Sequence, residues 1–224
     1  MNEAERRRFI LGNTAVHPVP HAPEIRLYVA DEAVPLWQRT EDELRESGIE
    51  PPFWAFAWAG GQGLARWVLN NRNEVMGRRV VDFASGSGLV AIAAAMANAA
   101  RVECCEIDSM GGTAIALNAE LNGVGPFVVT SRDVIGQLRR ELGDPDLVLV
   151  GDIHYDRSFA EAATPWLEAL AGQGARVLIG DPGRAYFPRE RGWKRLAEYR
   201  VTTMRALEDA EVRAVGVFEV TSPE

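Results

Sequence analysis

Short apolar runs alternate with longer amphipathic or alanine-rich stretches between residues 80 and 200. This alternation predicts strands and helices in turn, which is the pattern of an α/β protein with a doubly wound, Rossmann-like sheet. The predicted strands begin at Val80 and then cover Arg101–Glu106, Phe127–Thr130, Asp146–Val150 and Ala175–Gly180. The predicted helices cover Val90–Ala100, Gly112–Asn122, Val134–Leu142, Phe159–Ala171, with a kink or a new start at Pro165, and Arg189–Tyr199. A closing pair of strands is predicted at Val201–Arg205 and Val212–Val220.

The first 50 residues are predicted to form an N-terminal extension, and residues 51–224 the main domain. The extension should contain a short charged helix, an extended proline-rich connector, a strand and a second helix that Gly48 ends. In order, these elements are Glu3–Leu11, Thr14–Pro23, Ile25–Ala30 and Asp31–Ser47. His17 and His21 have the spacing of metal ligands on a helix, but the prolines around them exclude that helix. No metal site is therefore predicted.

The composition is that of a soluble globular protein, with 47% hydrophobic and 25% charged residues among 224. The net charge of −8 argues against nucleic acid as a partner, since phosphate binding needs a basic face. No apolar run has the length of a membrane span. Cys104 and Cys105 are neighbours on a predicted strand and point to opposite faces, so we expect no disulfide and a cytoplasmic protein.

A glycine turn follows the first predicted strand in the segment Asp82–Gly88, which reads D-F-A-S-G-S-G. A strand, a glycine turn and a helix in succession can bind a small charged ligand at the helix N-terminus. Gly86, Gly88 and Ala91 match the spacing of an NAD-binding fingerprint. Asp82 argues against NAD, because its carboxylate would face a pyrophosphate and like charges repel. The same carboxylate suits a cationic ligand such as S-adenosylmethionine (SAM), which we expect here.

Acidic residues recur where the predicted strands end, namely Asp82, Glu106, Asp133, Asp152 and Asp181. The carboxyl ends of parallel strands meet at one edge of a sheet, where ligands of doubly wound folds bind. Glu106 ends the second predicted strand beside the glycine turn, so we expect its carboxylate to accept hydrogen bonds from both ribose hydroxyls. Two roles stay open for Asp133, a contact with the adenine amino group and a cap on the predicted helix Val134–Leu142.

Large aromatic residues are dense in the segment Pro51–Gln62, which reads P-P-F-W-A-F-A-W-A-G-G-Q and leads into a predicted helix over Gln62–Asn70. For Phe53 and Phe56 we favour a packed cluster at the end of the sheet. Trp54 and Trp58 suit such packing and a ligand contact equally, because an indole ring can stack on adenine or attract a cationic amine.

Asp152 and Tyr155 come directly after the most apolar predicted strand. If SAM is the ligand, its methyl group needs a nucleophile to accept it. For a lysine in that role, the amine must first lose a proton, and its reference pKa is about 10.4. A desolvated channel lowers that pKa, and Asp152 or Tyr155 can then accept the N–H of the neutral amine. Both residues are candidate catalytic residues, while a turn or cap role for Asp152 and a packing role for Tyr155 stay open.

Four motifs carry a family resemblance: Trp54-x-x-x-Trp58-x-Gly60-Gly61-Gln62, Asp82–Gly88, Asp152-x-x-Tyr155 and Gly180-Asp181-Pro182-Gly183-Arg184. Together they resemble the seven-β-strand, SAM-dependent protein lysine methyltransferases with a D-x-x-Y motif, over about Phe9 to Phe218. The likeness is to the enzymes that methylate lysines of the electron transfer flavoprotein β subunit, so that protein is the substrate the resemblance implies. It also implies the strand order 3-2-1-4-5-7-6, with the last strand antiparallel.

The resemblance implies that Asp82, Gly86 and Glu106 hold SAM, that Trp58 lies beside it, and that Asp152 and Tyr155 serve the lysine. The full set of expected cofactor contacts is Trp58, Asp82, Ala84, Ser85, Gly86, Gly88, Glu106, Ile107, Asp133, Val134 and Asp152. The expected substrate contacts are Trp54, Tyr155 and Arg184. The sequence departs from the family pattern at Ala84, where a glycine is more frequent, and at His154, where an aromatic or aliphatic residue is frequent.

Three other functions remain open on the same residues. A small-molecule N-methyltransferase, with a nicotinamide-like substrate for example, would use the same cofactor. An NAD-binding oxidoreductase would use the same glycine turn, and a non-catalytic protein would bind SAM without turnover. Titration with SAM, S-adenosylhomocysteine and NAD separates the oxidoreductase from the other candidates.

Overall fold

The computed structural model of this protein describes residues 1–30, 51–203 and 212–222. Its α-helices are α1 Glu3–Asn13, α2 Ala59–Asn70, α3 Leu89–Met96, α4 Ser109–Asn122 and α5 Arg157–Gly172. Its strands are β1 Ala15–Val19, β2 Ala22–Val29, β3 Arg79–Phe83, β4 Arg101–Cys105, β5 Val128–Thr130, β6 Leu147–Gly151, β7 Arg176–Asp181, β8 Lys194–Thr202 and β9 Val212–Glu219. Short 3-10 helices cover Phe53–Ala55, Arg72–Glu74, Arg139–Leu142 and Arg189–Arg191. The predicted helix Asp31–Ser47, its stop at Gly48, and the end of the predicted strand at Arg205 lie outside the described residues.

Among the described residues, seven strands form one sheet in the order β5-β4-β3-β6-β7-β9-β8. The strands β3 to β7 run parallel to their neighbours, whereas β9 runs antiparallel to both β7 and β8. The predicted doubly wound sheet and its strand order, including the antiparallel last strand, are confirmed. The carboxyl ends of β3, β4, β6 and β7 consequently meet along one edge.

The central strand β6 is buried on both faces of the sheet. Leu147 and Leu149 pack in one core cluster with residues of α2 and α3, whereas Val148 and Val150 pack in a second cluster with residues of α5. This alternation explains why the strand is apolar at every position, since each face meets a helical layer. Helix α5 continues through Pro165 as one element, so no new segment begins there.

The N-terminal residues form a helix and a hairpin that pack on the main sheet domain. Strand β1 pairs antiparallel with β2, so the predicted connector Thr14–Pro23 is partly wrong. Its proline at position 18 is tolerated because β1 is an edge strand. Ile25 and Leu27 of β2 share a core cluster with α2 and α3, and an ion pair of 2.7 Å joins Arg7 of α1 to Glu120 of α4. The division of the chain at residue 50 stays a prediction.

Two predicted helices are wrong. Residues of the predicted helix Arg189–Tyr199 form the 3-10 turn Arg189–Arg191 and the first part of β8. Lys194–Tyr199 is rich in good helix formers, but β8 pairs along its length with β9, and this tertiary pairing outweighs the local propensity. The predicted helix Val134–Leu142 reduces to the 3-10 helix Arg139–Leu142, because Gly136 adopts a left-handed conformation with φ of +86°.

No helix in the three described ranges is long and apolar enough to cross a bilayer. Within the same ranges, no three His, Cys, Asp or Glu side chains are grouped so that they could hold a metal ion. Cys104 and Cys105 are both free and buried.

Candidate active site

Four of the predicted acidic residues lie at the carboxyl ends of neighbouring parallel strands. Asp82 is the second-last residue of β3, Glu106 follows β4, Asp152 follows β6, and Asp181 ends β7. We call these strand ends and the loops that follow them the acidic edge. Asp133 lies three residues beyond the end of β5 and is exposed, so it lies at the far side of this edge.

The glycine turn at the acidic edge has a left-handed backbone at three positions. Ala84, Gly86 and Gly88 have φ of +54°, +53° and +78°. Glycine adopts such angles without cost, whereas the Cβ of Ala84 makes that position strained. The Ser85 hydroxyl donates to the Asp82 carbonyl at 2.8 Å, which holds the strained turn closed.

Asp82 is buried, with 1% of its surface exposed. Its carboxylate accepts a hydrogen bond of 3.1 Å from the Ala91 backbone N–H, in the first turn of α3. Burial raises the pKa of Asp82 to about 7, and the charge of Glu106 adds to the rise, while the Ala91 hydrogen bond opposes it. Asp82 therefore binds the N-terminus of α3 and supports the glycine turn from its buried side. The sequence pattern did not reveal this position.

Glu106 links β4 to the glycine turn. One carboxylate oxygen accepts from the Gly86 backbone N–H at 2.7 Å, and the other accepts from the Asp108 N–H at 2.9 Å. Burial raises the pKa of Glu106, whereas these two amides hold it down. A Cβ on Gly111 would lie 2.7 Å from Glu106 Cγ, so α4 can approach this side chain only because residue 111 is glycine. Gly111 was not among the predicted site residues, although a G-G pair shortly after a strand-end acid was a usable signal.

The predicted adenine contacts have different environments. Ile107 is 71% exposed, a large value for an isoleucine next to a half-buried carboxylate. Asp133 accepts from the Ile135 N–H at 2.9 Å, and Val134 is 2% exposed. Because no α-helix follows Asp133, its predicted role as an α-helix cap is wrong, and its hydrogen bond closes a turn instead.

Asp152 is held by its backbone conformation and by several contacts. It is 6% exposed and has a left-handed backbone with φ of +63°. One oxygen accepts from the Gly60 N–H at 2.8 Å, at the start of α2. Arg184 binds the carboxylate with two nitrogens, Nε at 2.5 Å from Oδ1 and Nη2 at 3.1 Å from Oδ2. The Arg184 guanidinium also lies over the Trp58 ring, 5.8 Å from its centroid.

The aromatic segment divides differently from the prediction. Trp54 is 3% exposed and packs with Ile10 and Phe56 in a cluster under α1, so it does not reach the surface of the acidic edge. Phe53 is 40% exposed, and its ring centroid lies 5.2 Å from that of Tyr155 and 6.0 Å from that of Trp58. The segment forms a 3-10 turn, which does not alternate between two faces as a strand would.

Phe53 consequently connects the two halves of the site. Its carbonyl accepts from the Trp58 indole N–H at 2.8 Å and lies 3.9 Å from the position of a Cβ on Gly86. Tyr155 is 45% exposed at this junction. Desolvation and the neighbouring Asp156 charge raise the pKa of Tyr155 to about 12, so its hydroxyl keeps its proton at neutral pH.

The glycines of the Trp58-x-Gly60-Gly61 motif let α2 approach the strand ends. A Cβ on Gly60 would overlap the Gly180 carbonyl, and a Cβ on Gly151 would lie 3.0 Å from Gly61 Cα. No other residue type allows this approach, which brings the Gly60 N–H to Asp152.

Comparison with known proteins agrees with this geometry. The family model for ribosomal protein L11 methyltransferase (PrmA) matches residues 67–149, which include the glycine turn and Glu106. The electron transfer flavoprotein beta subunit lysine methyltransferase of Xenopus laevis is 40% identical over 200 residues, 88% of this chain and 79% of that protein. This chain belongs to that family.

One further relative and one solved structure extend the comparison. The electron transfer flavoprotein beta subunit lysine methyltransferase of Homo sapiens is 38% identical over 187 residues, covering 83% of this chain and 69% of that protein. The crystal structure of magnesium protoporphyrin IX methyltransferase from Synechocystis PCC 6803 with bound SAM has a TM-score of 0.52 at 17% identity, over 84% of this chain and 99% of that one. At that identity the match supports the fold alone.

Proposed function

We propose that this chain is a SAM-dependent protein N-lysine methyltransferase that acts on the electron transfer flavoprotein β subunit. The observation that carries the proposal is the constrained Asp152 carboxylate, which Gly60 and Arg184 hold beside the exposed Tyr155 at the acidic edge. Membership of the family supports both the reaction and the substrate.

The residues of the acidic edge fit the cofactor. Among the described residues, Glu106 accepts from the Gly86 and Asp108 backbone amides, and a carboxylate at this strand end can also accept ribose hydroxyls. Ser85, Gly86 and Gly88 keep the turn free of large side chains where the cofactor would lie. SAM supplies a methyl group on a positively charged sulfur and is released as S-adenosylhomocysteine. The negative charge of Glu106 favours such a cation at this edge.

The remaining cofactor contacts stay part of the proposal. The exposed Ile107 side chain offers an apolar surface that adenine would cover, and Asp133 with the Val134 amide would bind the edge of that ring. Trp58, half-buried beneath Arg184, would border the cofactor on the other side, with Ala84 shaping the turn. Because Trp54 is buried, any effect of Trp54 on the substrate would act through the packing of Phe53 and Phe56.

On the substrate side, the chain must bind a neutral lysine amine and exclude water. Asp152 can accept one N–H of the amine, which orients the nitrogen lone pair toward the acidic edge. The positive charge of Arg184 balances Asp152 and disfavours a second cation beside it, so the amine binds without its extra proton. Tyr155 and Phe53 form an aromatic wall that desolvates the amine.

A cytoplasmic, reducing compartment completes the proposal. Its support is that Cys104 and Cys105 are both free thiols in the sheet interior.

Incubation with labelled SAM and recombinant β subunit tests the proposal. Wild type should transfer label to the protein band, and Asp152→Asn should lower the rate about 100-fold. Asparagine suits the left-handed backbone at position 152 and still accepts from Gly60, so this variant removes the charge with little change of shape. Asp144→Asn, also at a left-handed position but before β6 and away from the edge, is the matched control.

The distribution of the label separates the other functions. Label that appears only in low-mass products would favour a small-molecule N-methyltransferase. Tighter binding of NAD than of S-adenosylhomocysteine in a calorimetric titration would contradict the cofactor assignment.

A further inference from the structure

His154 lies in the middle of the Asp152-x-x-Tyr155 motif and is completely buried. Its Nδ1 atom is 2.8 Å from Asp181 Oδ2, and both side chains have 0% exposure. The family pattern gave this position no role, and the reaction proposed above does not use it. This buried His–Asp pair, whose histidine is two residues after Asp152, therefore needs its own explanation.

The second oxygen of Asp181 leads from this pair to Arg184. Asp181 Oδ1 accepts from the Gly183 N–H at 2.6 Å and from the Arg184 N–H at 2.8 Å. These bonds close the turn after β7, where Gly183 has φ of +80°. The position of the Arg184 backbone thus depends on the orientation of the Asp181 carboxylate.

Arg184 in turn contacts the segment that contains His154. Its guanidinium binds Asp152, two residues before His154, and the Tyr186 N–H donates to the His154 carbonyl at 3.2 Å. The loops after β6 and β7 are consequently joined into a closed ring of contacts, from His154 to Asp181, to Arg184, to Asp152 and back along the chain.

The other surroundings of the imidazole are mainly apolar. The ring meets Phe187 edge-on at 5.3 Å and Trp193 at 6.1 Å, and its Nε2 is 3.5 Å from Thr164 Oγ1. An aromatic residue at this position would keep the ring packing. The donor toward Asp181 and the long contact with Thr164 would be lost.

We infer that His154 is a positioning residue, which acts through Asp181 to hold Arg184 in bidentate contact with Asp152. The inference rests on the proposed function, because Arg184 and Asp152 form the substrate side of that site. Without the imidazole, Asp181 Oδ2 is a buried carboxylate oxygen with one partner fewer, and the carboxylate reorients to satisfy it. This change releases the turn that carries Arg184.

Three substitutions at one position test this inference. His154→Phe keeps the ring packing without a donor, and His154→Asn places an amide N–H near the position of Nδ1. If His154→Phe does not fold, His154→Met fills the same apolar space with a flexible side chain that also lacks the donor.

Amide hydrogen exchange gives a readout that needs no activity. In His154→Phe, exchange of the Gly183 and Arg184 amides should accelerate about tenfold, and His154→Asn should restore it to within about threefold. The Gly86 amide, which donates to Glu106 in the other half of the site, is the internal control and should not change.

Kinetics on the β subunit give the second readout. His154→Phe should lower kcat about 10-fold to 100-fold while the affinity for S-adenosylhomocysteine changes less than about threefold. In an Arg184→Ala background the same substitution should have almost no further effect, because the residue acts through Arg184.

The results separate the two claims. Suppose that wild type is active and that His154→Phe has the same amide exchange and the same kcat as wild type. That result would overturn the positioning role. A loss of kcat from His154→Phe that is equally large in the Arg184→Ala background would overturn it too. An inactive wild type whose Gly183 and Arg184 amides still respond to His154→Phe would overturn the proposed function and leave the structural link between His154 and Arg184 standing.

Discussion

Arg184 binds Asp152 through two parallel contacts, from Nε to Oδ1 at 2.5 Å and from Nη2 to Oδ2 at 3.1 Å. The Asp152 side chain is 3% exposed and the Arg184 side chain 16%, so water screens this pair poorly. The pair joins the loops after the two strands β6 and β7, and it fixes the direction of the acid that we propose as the amine acceptor.

Replacement of Arg184 should therefore reduce catalysis more than cofactor binding. Arg184→Ala removes the guanidinium that holds the Asp152 carboxylate, and we expect kcat/KM to fall about 100-fold. Arg184→Lys should be intermediate because an ammonium group cannot make the bidentate contact. Steady-state methylation kinetics with calorimetry of S-adenosylhomocysteine measure both effects. Arg195→Ala, exposed on β8, is the control, and an equal loss in that variant would contradict the assignment.

Substitution of Gly111 should weaken cofactor binding without touching the substrate side. In Gly111→Ala the new Cβ would lie 2.7 Å from Glu106 Cγ, so the carboxylate must move away from the ribose position. We expect the affinity for S-adenosylhomocysteine to fall about tenfold, as calorimetry would show. Gly112→Ala is a matched control, since its Cβ would make an ordinary 3.6 Å contact with Val129. Equal affinities for the two variants would show that Glu106 does not bind the cofactor.

Asp82 should make unfolding depend on pH. Its pKa is raised from 3.8 to about 7 in the folded state, so between these values the folded protein holds a proton that the unfolded chain has lost. Stability contributed by protonated Asp82 is complete below about pH 4 and is lost as the pH rises toward 7. Asp82→Asn, which keeps an acceptor for the Ala91 N–H, should be free of this loss.

Urea unfolding of both proteins at pH 5 and pH 7 measures the effect. Relative to Asp82→Asn, wild type should lose about 2 kcal/mol of unfolding free energy between the two pH values. The raised pKa of Glu106 acts in the same direction in both proteins, so their difference reports mainly on Asp82 and its coupling to Glu106. A difference that does not vary with pH would mean that Asp82 is ionised throughout this range.

The neighbours Phe53 and Trp54 should have opposite effects when each is changed to leucine. Trp54 is buried in the core, so Trp54→Leu should cost about 2–4 kcal/mol of unfolding free energy. Phe53 is exposed beside Tyr155, so Phe53→Leu should cost about 1 kcal/mol or less and should raise KM for the β subunit several-fold. Chemical denaturation and methylation kinetics of the same two variants check this. A stable Trp54→Leu protein with a raised KM would reverse the assignment.

The sheet and the positions of the acids could be predicted from sequence, because the repeat of apolar positions and the residues that end each strand are local features. The buried strand β6, the turn after β3 and the carboxylates that follow them are all readable from short segments. The element β8 could not be predicted in this way, because its pairing with β9 involves residues about 20 positions away and outweighs the helical preference of Lys194–Tyr199.

The details of the site depended on contacts that no segment contains. Asp82 is buried beside the Ala91 amide, nine positions along the chain and in another element. Phe53 is exposed because its segment forms a 3-10 turn in place of a strand. His154 shows the same limit most clearly, since its partner Asp181 is 27 positions away and on another strand.

Intact-mass and peptide mass spectrometry of the β subunit, after incubation with this protein and SAM, tests the proposed reaction most directly. We expect the mass of the β subunit to rise by one or more methyl groups, and the modified peptides to carry them on lysine side chains. The increase should appear with wild type and with Asp144→Asn, and it should be almost lost with Asp152→Asn. A β subunit of unchanged mass, or equal methylation by wild type and Asp152→Asn, would contradict it.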